Sequence, residues 1–462
     1  MPLLQSDLRH MAAAASTIPE RLSGHVLPES EQISDESYQA RLYAWCQIST
    51  AGDWQRFQER LSWDRLDLAV AQRLLAPVRW SELVPLPAWT TTLQEGLRLL
   101  ESMPDDNVIV EKEPWPFLDA NKPLPFEELL APFVSLAQRR FIERSGADAE
   151  LLANSAYLTL QHHLLQVLTS LSLPTLHAEF TRIHTQAQTT TSATEGSTRR
   201  DEQHLSQHFL QQMRRGGLAA LLRAYSVLAR LLATTCDLWV EANVELVQRL
   251  AADWSAIAQR FASGSELGQV IELQPALSDV HAGRRSVMAL LFASGSKLIY
   301  KPRPVGMEEA YYHLLHWCNI QGATPPFQIL AILNRSTYGW VEYVAQEPCP
   351  DQDALRRYYQ RAGMLLCLVY MLGGVDCFYD QIIAHGEQPV LVDVSHLLHP
   401  YPSPHPQQRQ GEDWEQERYS VLHTGFLASW STPPSRDVVN DISGLGLSQG
   451  YNEALLDSRQ TS

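Results

Sequence analysis

Residues 376–398 read DCFYDQIIAHGEQPVLVDVSHLL. Asp376 opens the stretch, two short apolar runs (382–384 and 390–392) flank a polar, glycine-bearing turn, and Asp393 follows the second run. Apolar runs on either side of such a turn predict a β-hairpin. A hairpin returns its two ends to one edge, so the pattern predicts two carboxylates close together.

Working outward, 353–372 is strongly periodic, with Leu355, Tyr358, Tyr359, Ala362, Leu365, Leu366 and Val369 on one helical face. Residues 327–333 and 339–344 read as strands around NRSTY, and 307–319 as a helix. Residues 287–292 and 297–301 form a second hairpin across ASGS, and Pro302 and Pro304 stop its second strand directly after Lys301. The order is therefore hairpin, lysine at a strand end, helix, strands, long helix and Asp–hairpin–Asp, the order of a kinase-type phosphotransferase. A γ-phosphoryl group in flight is negative, so such a site supplies a lysine and a hard metal held by oxygen ligands. On that reading Lys301 meets the phosphates, with Glu308 or Glu309 pairing it from the next helix. Asp376 handles the hydroxyl proton, while Gln381 and Asp393 hold the metal.

The first 265 residues read as helical. Leu218, Leu221, Leu222, Tyr225, Leu228 and Leu232 recur at three- and four-residue steps, and Leu238, Val244, Leu246, Val247, Leu250 and Trp254 predict a second helix. Helices are also predicted over 127–142 and 149–172. In the latter, adjacent His162 and His163 point about 100° apart and form no chelate. PWPFLDANKPLPF (114–126) is a proline-punctuated break. Residues 185–200 carry no apolar side chain larger than Ala, which predicts a mobile loop.

A formal net charge of −16 argues against nucleic acid or an anionic membrane as the main partner and suits a cationic peptide better. The six cysteines form no CxxC pair, which argues against zinc or a disulfide framework and fits a cytoplasmic protein. No apolar run reaches membrane-spanning length, and the N-terminus carries no good signal peptide.

The stretch LSDVHAGRRSVMALLFASGSKLIYKPRP (277–304) resembles the dehydratase domain of class II lanthipeptide synthetases, the LanM type. The matching residues are Asp279, His281 and Arg284, then Tyr300-Lys301-Pro302-Arg303; YGWVEY (338–343), VLHTGFL (421–427) and DISGLG (441–446) resemble later family signatures. The resemblance implies an α+β chain: a mainly helical region over 1–265, then a two-lobed fold like that of lipid kinases, with a small antiparallel sheet, divided into 266–345 and 346–462. It implies ATP and Mg2+, a precursor peptide with a leader, and phosphorylation then dehydration of Ser and Thr. Asp376, Lys301 and Thr424 would be catalytic, Lys301, Arg303, Glu308 and Arg284 would bind the cofactor, and Asp393 and Gln381 the metal.

The family's D-x-H-x-x-N and D-x-E are here Asp376…Phe378…Gln381 and Asp393-Val394-Ser395. Phe378 cannot carry a proton. The extra methylene of Gln381 shifts its oxygen, and Ser395 lacks the acid's charge. The sequence ends soon after DISGLG, where the family continues into an elimination arginine and a zinc cyclase, so a separate cyclase or complementing chain is expected. Three readings stand: a working dehydratase or part of a split one, a pseudokinase-like binder of peptide or nucleotide, and an inactive relic.

Overall fold

A computed structural model describes residues 3–29, 35–103, 115–190, 199–398, 420–428 and 443–445. The chain is α+β, mixed helical with small antiparallel sheets. It divides into two compact units, Met1–Ala251 with Val280–Arg285, and Ala252–Asp279 with Ser286–Ser462.

The first unit is built mainly from helices Gln5–Ala14, Trp89–Glu101, Glu127–Ser145, Asn154–Thr190 and Arg199–Gln212, and from the greater part of Ser226–Phe261. Gly96 lets two of them approach closely: a Cβ there would lie 2.3 Å from the Phe133 ring. Arg140 donates to Glu95 at 2.9 Å and to Asp237 at 3.0 Å, and Thr92 donates to the same Asp237 oxygen at 2.7 Å, tying three helices together. Residues 35–75 carry a small core of their own around Leu42, Cys46, Phe57 and Leu61.

Three features depart from the all-helical expectation for 1–265. Strands β1 (Val26–Pro28) and β2 (Val78–Trp80) pair antiparallel, although they are distant in sequence and only three residues long. The helix expected through Leu218–Leu232 breaks at Tyr225, whose φ −106° and ψ 60° leave the helical region. The latter part of that helix and the second one expected over Leu238–Trp254 are a single helix, Ser226–Phe261, because buried Thr235 and Cys236 continue the packed face across the apparent gap. Of the expected mobile loop, residues through Thr190 and from Arg199 are helical, and 191–198 lie outside the described residues.

The second unit centres on a five-stranded antiparallel sheet of order β3-β4-β5-β7-β6, with β3 Val270–Gln274, β4 Met288–Phe292, β5 Lys297–Lys301, β6 Ile332–Asn334 and β7 Gly339–Glu342. The expected β4–β5 hairpin forms, Met288 opposite Tyr300, with Gly295 at φ 85° in the turn. β3 carries a bulge between Val270 and Glu272 that breaks the alternation by which a strand is recognised. Residues 327–331 do not join β6: the Asn319 amide takes both the N–H and the carbonyl of Phe327 at 2.8 Å, and the Glu342 carboxylate takes the N–H of Ala331. Side chains thus occupy the groups a ladder would need. Helices Gly306–Ile320 and Gln352–Met371 and the hairpin of β8 (Ile382–His385) and β9 (Gln388–Leu391) complete the unit. Val305, Tyr312, Ile332 and Val341 share one core with Leu365, Val390 and Leu391, so 266–345 and 346–462 fall in one compact unit.

The division between units falls at Ala251/Ala252, inside a helix, rather than near residue 265. Asp253 explains it. Its buried carboxylate accepts from Arg335 Nε at 2.7 Å and from Tyr338 Oη and Trp340 Nε1 at 2.8 Å, fixing the last turns of the helix to the β6–β7 turn and β7. All six cysteines are free, and among the described residues no single helix is long and apolar enough to cross a membrane. Asp253→Ala would leave a guanidinium, a phenol and an indole N–H without their acceptor; urea unfolding followed by tryptophan fluorescence is expected to show a loss of about 3–5 kcal/mol in the second unit.

Candidate functional site

Lys301 is the last residue of β5, opposite Gly339 on β7. A Cβ on Gly339 would lie 2.2 Å from Val305 Cγ2, so glycine there lets the chain after the prolines fold back against the sheet. The helix Gly306–Ile320 therefore starts beside the strand that precedes it, and Glu308 reaches Lys301. Lys301 is 5% exposed and donates from Nζ to Glu308 Oε1 at 3.1 Å and to the Val392 carbonyl at 2.7 Å. Glu309, the alternative partner, instead accepts from Asn334.

Arg303 bridges this pair to the second hairpin. Nη1 lies 2.7 Å from Glu308 Oε1, and Nη2 donates to Asp393 Oδ1 at 3.0 Å. The same Asp393 oxygen accepts the Ser395 N–H at 2.9 Å. Burial pushes the Lys301 ammonium down from its ordinary value, against the pull of Glu308. Burial acts to raise the Asp393 carboxyl, but the Ser395 N–H, Arg303 and Lys301 outweigh it and hold the group below the usual carboxylate range. Lys301, Arg303, Glu308 and Asp393, all anticipated from the sequence, thus form one hydrogen-bonded set.

Asp376 lies next to the segment that follows Asp393: the N–H of the preceding Val375 donates to the His396 carbonyl at 3.3 Å. The Asp376 backbone is left-handed, φ 56°, a strained conformation for a residue with a Cβ. Its exposed carboxylate lies 3.7 Å from His396 Nδ1. The neighbouring Cys377 N–H donates to the Thr424 carbonyl at 2.8 Å. Burial, then Asp376 and Asp393, push the Cys377 thiol up to about 12, so both carboxylates act on this one buried group. Phe378 packs its ring on Gly425, where a Cβ would lie 2.9 Å from Cε1. Gln381 gives its carbonyl to the Val392 N–H at 2.8 Å, next to Asp393, and its side-chain Oε1 is buried without a hydrogen-bond partner.

Two expected site residues are engaged elsewhere. Thr424 is buried, and its hydroxyl donates to the Val421 carbonyl at 2.6 Å and accepts the Phe426 N–H at 3.2 Å, so it serves its own turn. Arg284 groups with the helical unit, where its charge, after burial, lowers the pKa of His163. It therefore belongs to a different compact unit from Lys301. His396 was missed: in DVSHLL the eye goes to Ser395, where the family carries an acid, and only the backbone trace after Asp393 brings the imidazole to Asp376.

The donors fit a resident divalent metal poorly. No group of three or more His, Cys, Asp or Glu able to hold a metal occurs among the described residues. Gln381 Oε1 is a suitable unpartnered oxygen, but Asp393 is already ion-paired with Arg303 and Ser395 adds no charge.

A family described as "Domain of unknown function (DUF4135)" matches residues 225–460, about half of the chain, and the match includes Lys301, Arg303, Glu308, Asp376 and Asp393. The chain is also 26% identical over 162 residues, 33% of its length, to the Lacticin 481/lactococcin biosynthesis protein LcnDR2 of Lactococcus lactis subsp. lactis. The match spans 17% of that relative's length.

Lys301→Met is expected to destabilise the chain by about 1–3 kcal/mol, because buried Glu308 loses one of its two cations and keeps Arg303, and Lys301→Met/Glu308→Leu to recover most of that loss in urea unfolding. Because the Asp393 carboxyl is depressed in the fold, its contribution is complete above about pH 4, its ordinary value, and is lost as pH falls through the lower folded value. The stability gap between wild type and Asp393→Asn should hold steady from about pH 7 to 5 and shrink below about pH 4.

Proposed function

We propose that this chain, which belongs to the family described as a domain of unknown function (DUF4135) and is a relative of the LanM-type lanthipeptide synthetases, serves lanthipeptide biosynthesis as a kinase-like module that binds a nucleoside triphosphate and a precursor peptide. The buried Lys301–Glu308 pair carries the reading. In protein kinases a strand lysine paired to a glutamate of the following helix sets the phosphate-binding geometry, and an aspartate beyond a later hairpin completes it. Lys301 lies on the third strand of its unit, Glu308 on the next helix and Asp393 after the β8–β9 hairpin, an order that supports a kinase-like arrangement.

In this reading Lys301 and Arg303 offer positive charge to the phosphates, and Asp376, exposed and strained, faces the peptide hydroxyl. Magnesium, implied by the resemblance, fits the donors poorly, and no step is routed through it. Phe378 presents a hydrocarbon ring where the family carries an imidazole, and the Thr424 hydroxyl is occupied by its own turn. These favour binding with turnover lost. ATP and the precursor peptide with its leader are then ligands.

One observation favours the other reading, a working Ser/Thr kinase and dehydratase. His396 lies 3.7 Å from Asp376, so an imidazole still stands beside the carboxylate that would take the hydroxyl proton. Phosphorylation converts the hydroxyl into a leaving group, and loss of the α-proton then expels phosphate to give the dehydroamino acid.

The two readings separate by mass spectrometry of a Ser/Thr- and Cys-bearing precursor peptide incubated with the chain and ATP, alongside calorimetry of each ligand. Binding with unchanged peptide mass is expected. A gain of about 80 Da marks phosphorylation and a loss of about 18 Da marks dehydration, either of which replaces the binding reading with the catalytic one. Failure to bind either ligand overturns both. Phe378→His/Gln381→Asn is expected to bring turnover if those two residues are the lesion.

A further inference from the structure

We propose that Arg303 does the work of a divalent cation at this site, so that the chain binds nucleotide phosphates without a metal. The inference rests on the nucleotide-binding reading above and concerns what neutralises the phosphates.

The charges are already balanced within the protein. Lys301 and Arg303 are two cations, and Glu308 and Asp393 two anions, joined through Glu308 Oε1 and Asp393 Oδ1. In a kinase the aspartate after the hairpin holds the metal that bridges the β- and γ-phosphates. Here that aspartate faces a guanidinium at 3.0 Å and a backbone N–H at 2.9 Å. A hard cation at Asp393 would share the carboxylate with Arg303, whose guanidinium already neutralises it through Oδ1 and whose charge opposes a second cation. The neighbour at 395 is a serine, so no second carboxylate would strengthen the cation's hold.

Accessibility assigns the two cations different tasks. The Lys301 side chain is 6% exposed and held by Glu308 and the Val392 carbonyl, so it sits behind the site as a fixed charge. The Arg303 side chain is 26% exposed, and its planar fork presents five N–H donors, matched in shape to phosphate as well as to carboxylate. An incoming polyphosphate meets Arg303 first. Phosphate oxygens exchange with Asp393 or Glu308 on the same fork, and the fork keeps its charge throughout. Glu308 Oε2, buried and without a hydrogen-bond partner, shows that the carboxylate beneath Arg303 is itself only partly satisfied. The guanidinium is therefore held by strong but incomplete partners, as suits a group that changes ligands.

The test is titration of ATP into the full chain, by calorimetry or by displacement of a fluorescent ATP analogue, once with excess Mg2+ and once with EDTA. The dissociation constants are expected to agree within about twofold. Arg303→Gln is expected to weaken binding at least about tenfold in both media, with unfolding curves confirming that the variant is folded. Arg303→Lys, which keeps the charge and loses the fork, should fall between the two. Binding that requires Mg2+, or Arg303→Gln binding as wild type does, overturns the inference and leaves the nucleotide reading standing. Absence of binding by the wild type in both media overturns the nucleotide reading and the inference with it.

Discussion

An ammonium buried against a carboxylate holds this site together. Taking Lys301 and Glu308 out of water costs several kcal/mol per ion, and their mutual attraction offsets that only with further hydrogen bonds. The Val392 carbonyl and the Arg303 guanidinium supply them. Each of these partners comes from a different segment: the end of β5, the start of the following helix and the exit of the β8–β9 hairpin. The pair thus fixes three segments at one point and delivers Asp393 to it. Gly339 makes the arrangement possible, since any side chain there would push Val305 and the helix away from the strand.

The loop around Asp376 is held by packing and backbone hydrogen bonds rather than by charge. Asp376 keeps a strained backbone, which persists only where its surroundings enforce it, here through the Cys377–Thr424 hydrogen bond and the packing of Phe378 on Gly425. Phe378 has become a packing residue, and Thr424 supports the same loop with its carbonyl while its hydroxyl closes a local turn. A buried charge network around Lys301 beside a loop that presents a hydrocarbon ring at 378 is what unites the proposed binding function with the metal-free inference.

The parts of this fold legible in the sequence are those written locally. The hairpins β4–β5 and β8–β9 announce themselves by short apolar runs on either side of a glycine-bearing turn, the helix Gln352–Met371 by its period, and the end of β5 by two prolines. Lys301, Glu308, Arg303 and Asp393 were legible for the same reason, because motif spacing carries them. What escaped depends on distant partners. β1 and β2 are three residues each and lie far apart in sequence; β3 hides behind its bulge; residues 327–331 are diverted from the sheet by Asn319 and Glu342. The unit boundary moved into a helix because Asp253 binds residues more than eighty positions later. Arg284 went to the helical unit although it lies within the same motif as Lys301. His396 came to Asp376 through a turn that no pattern encodes.

Hydrogen–deuterium exchange of the full chain with and without ATP reads the central claim most directly. The account predicts slowed exchange confined to residues 297–308 and 388–396, the strand end, helix start and hairpin exit that meet at Lys301. Unchanged exchange across both segments, with protection appearing instead in the helical unit, would contradict it.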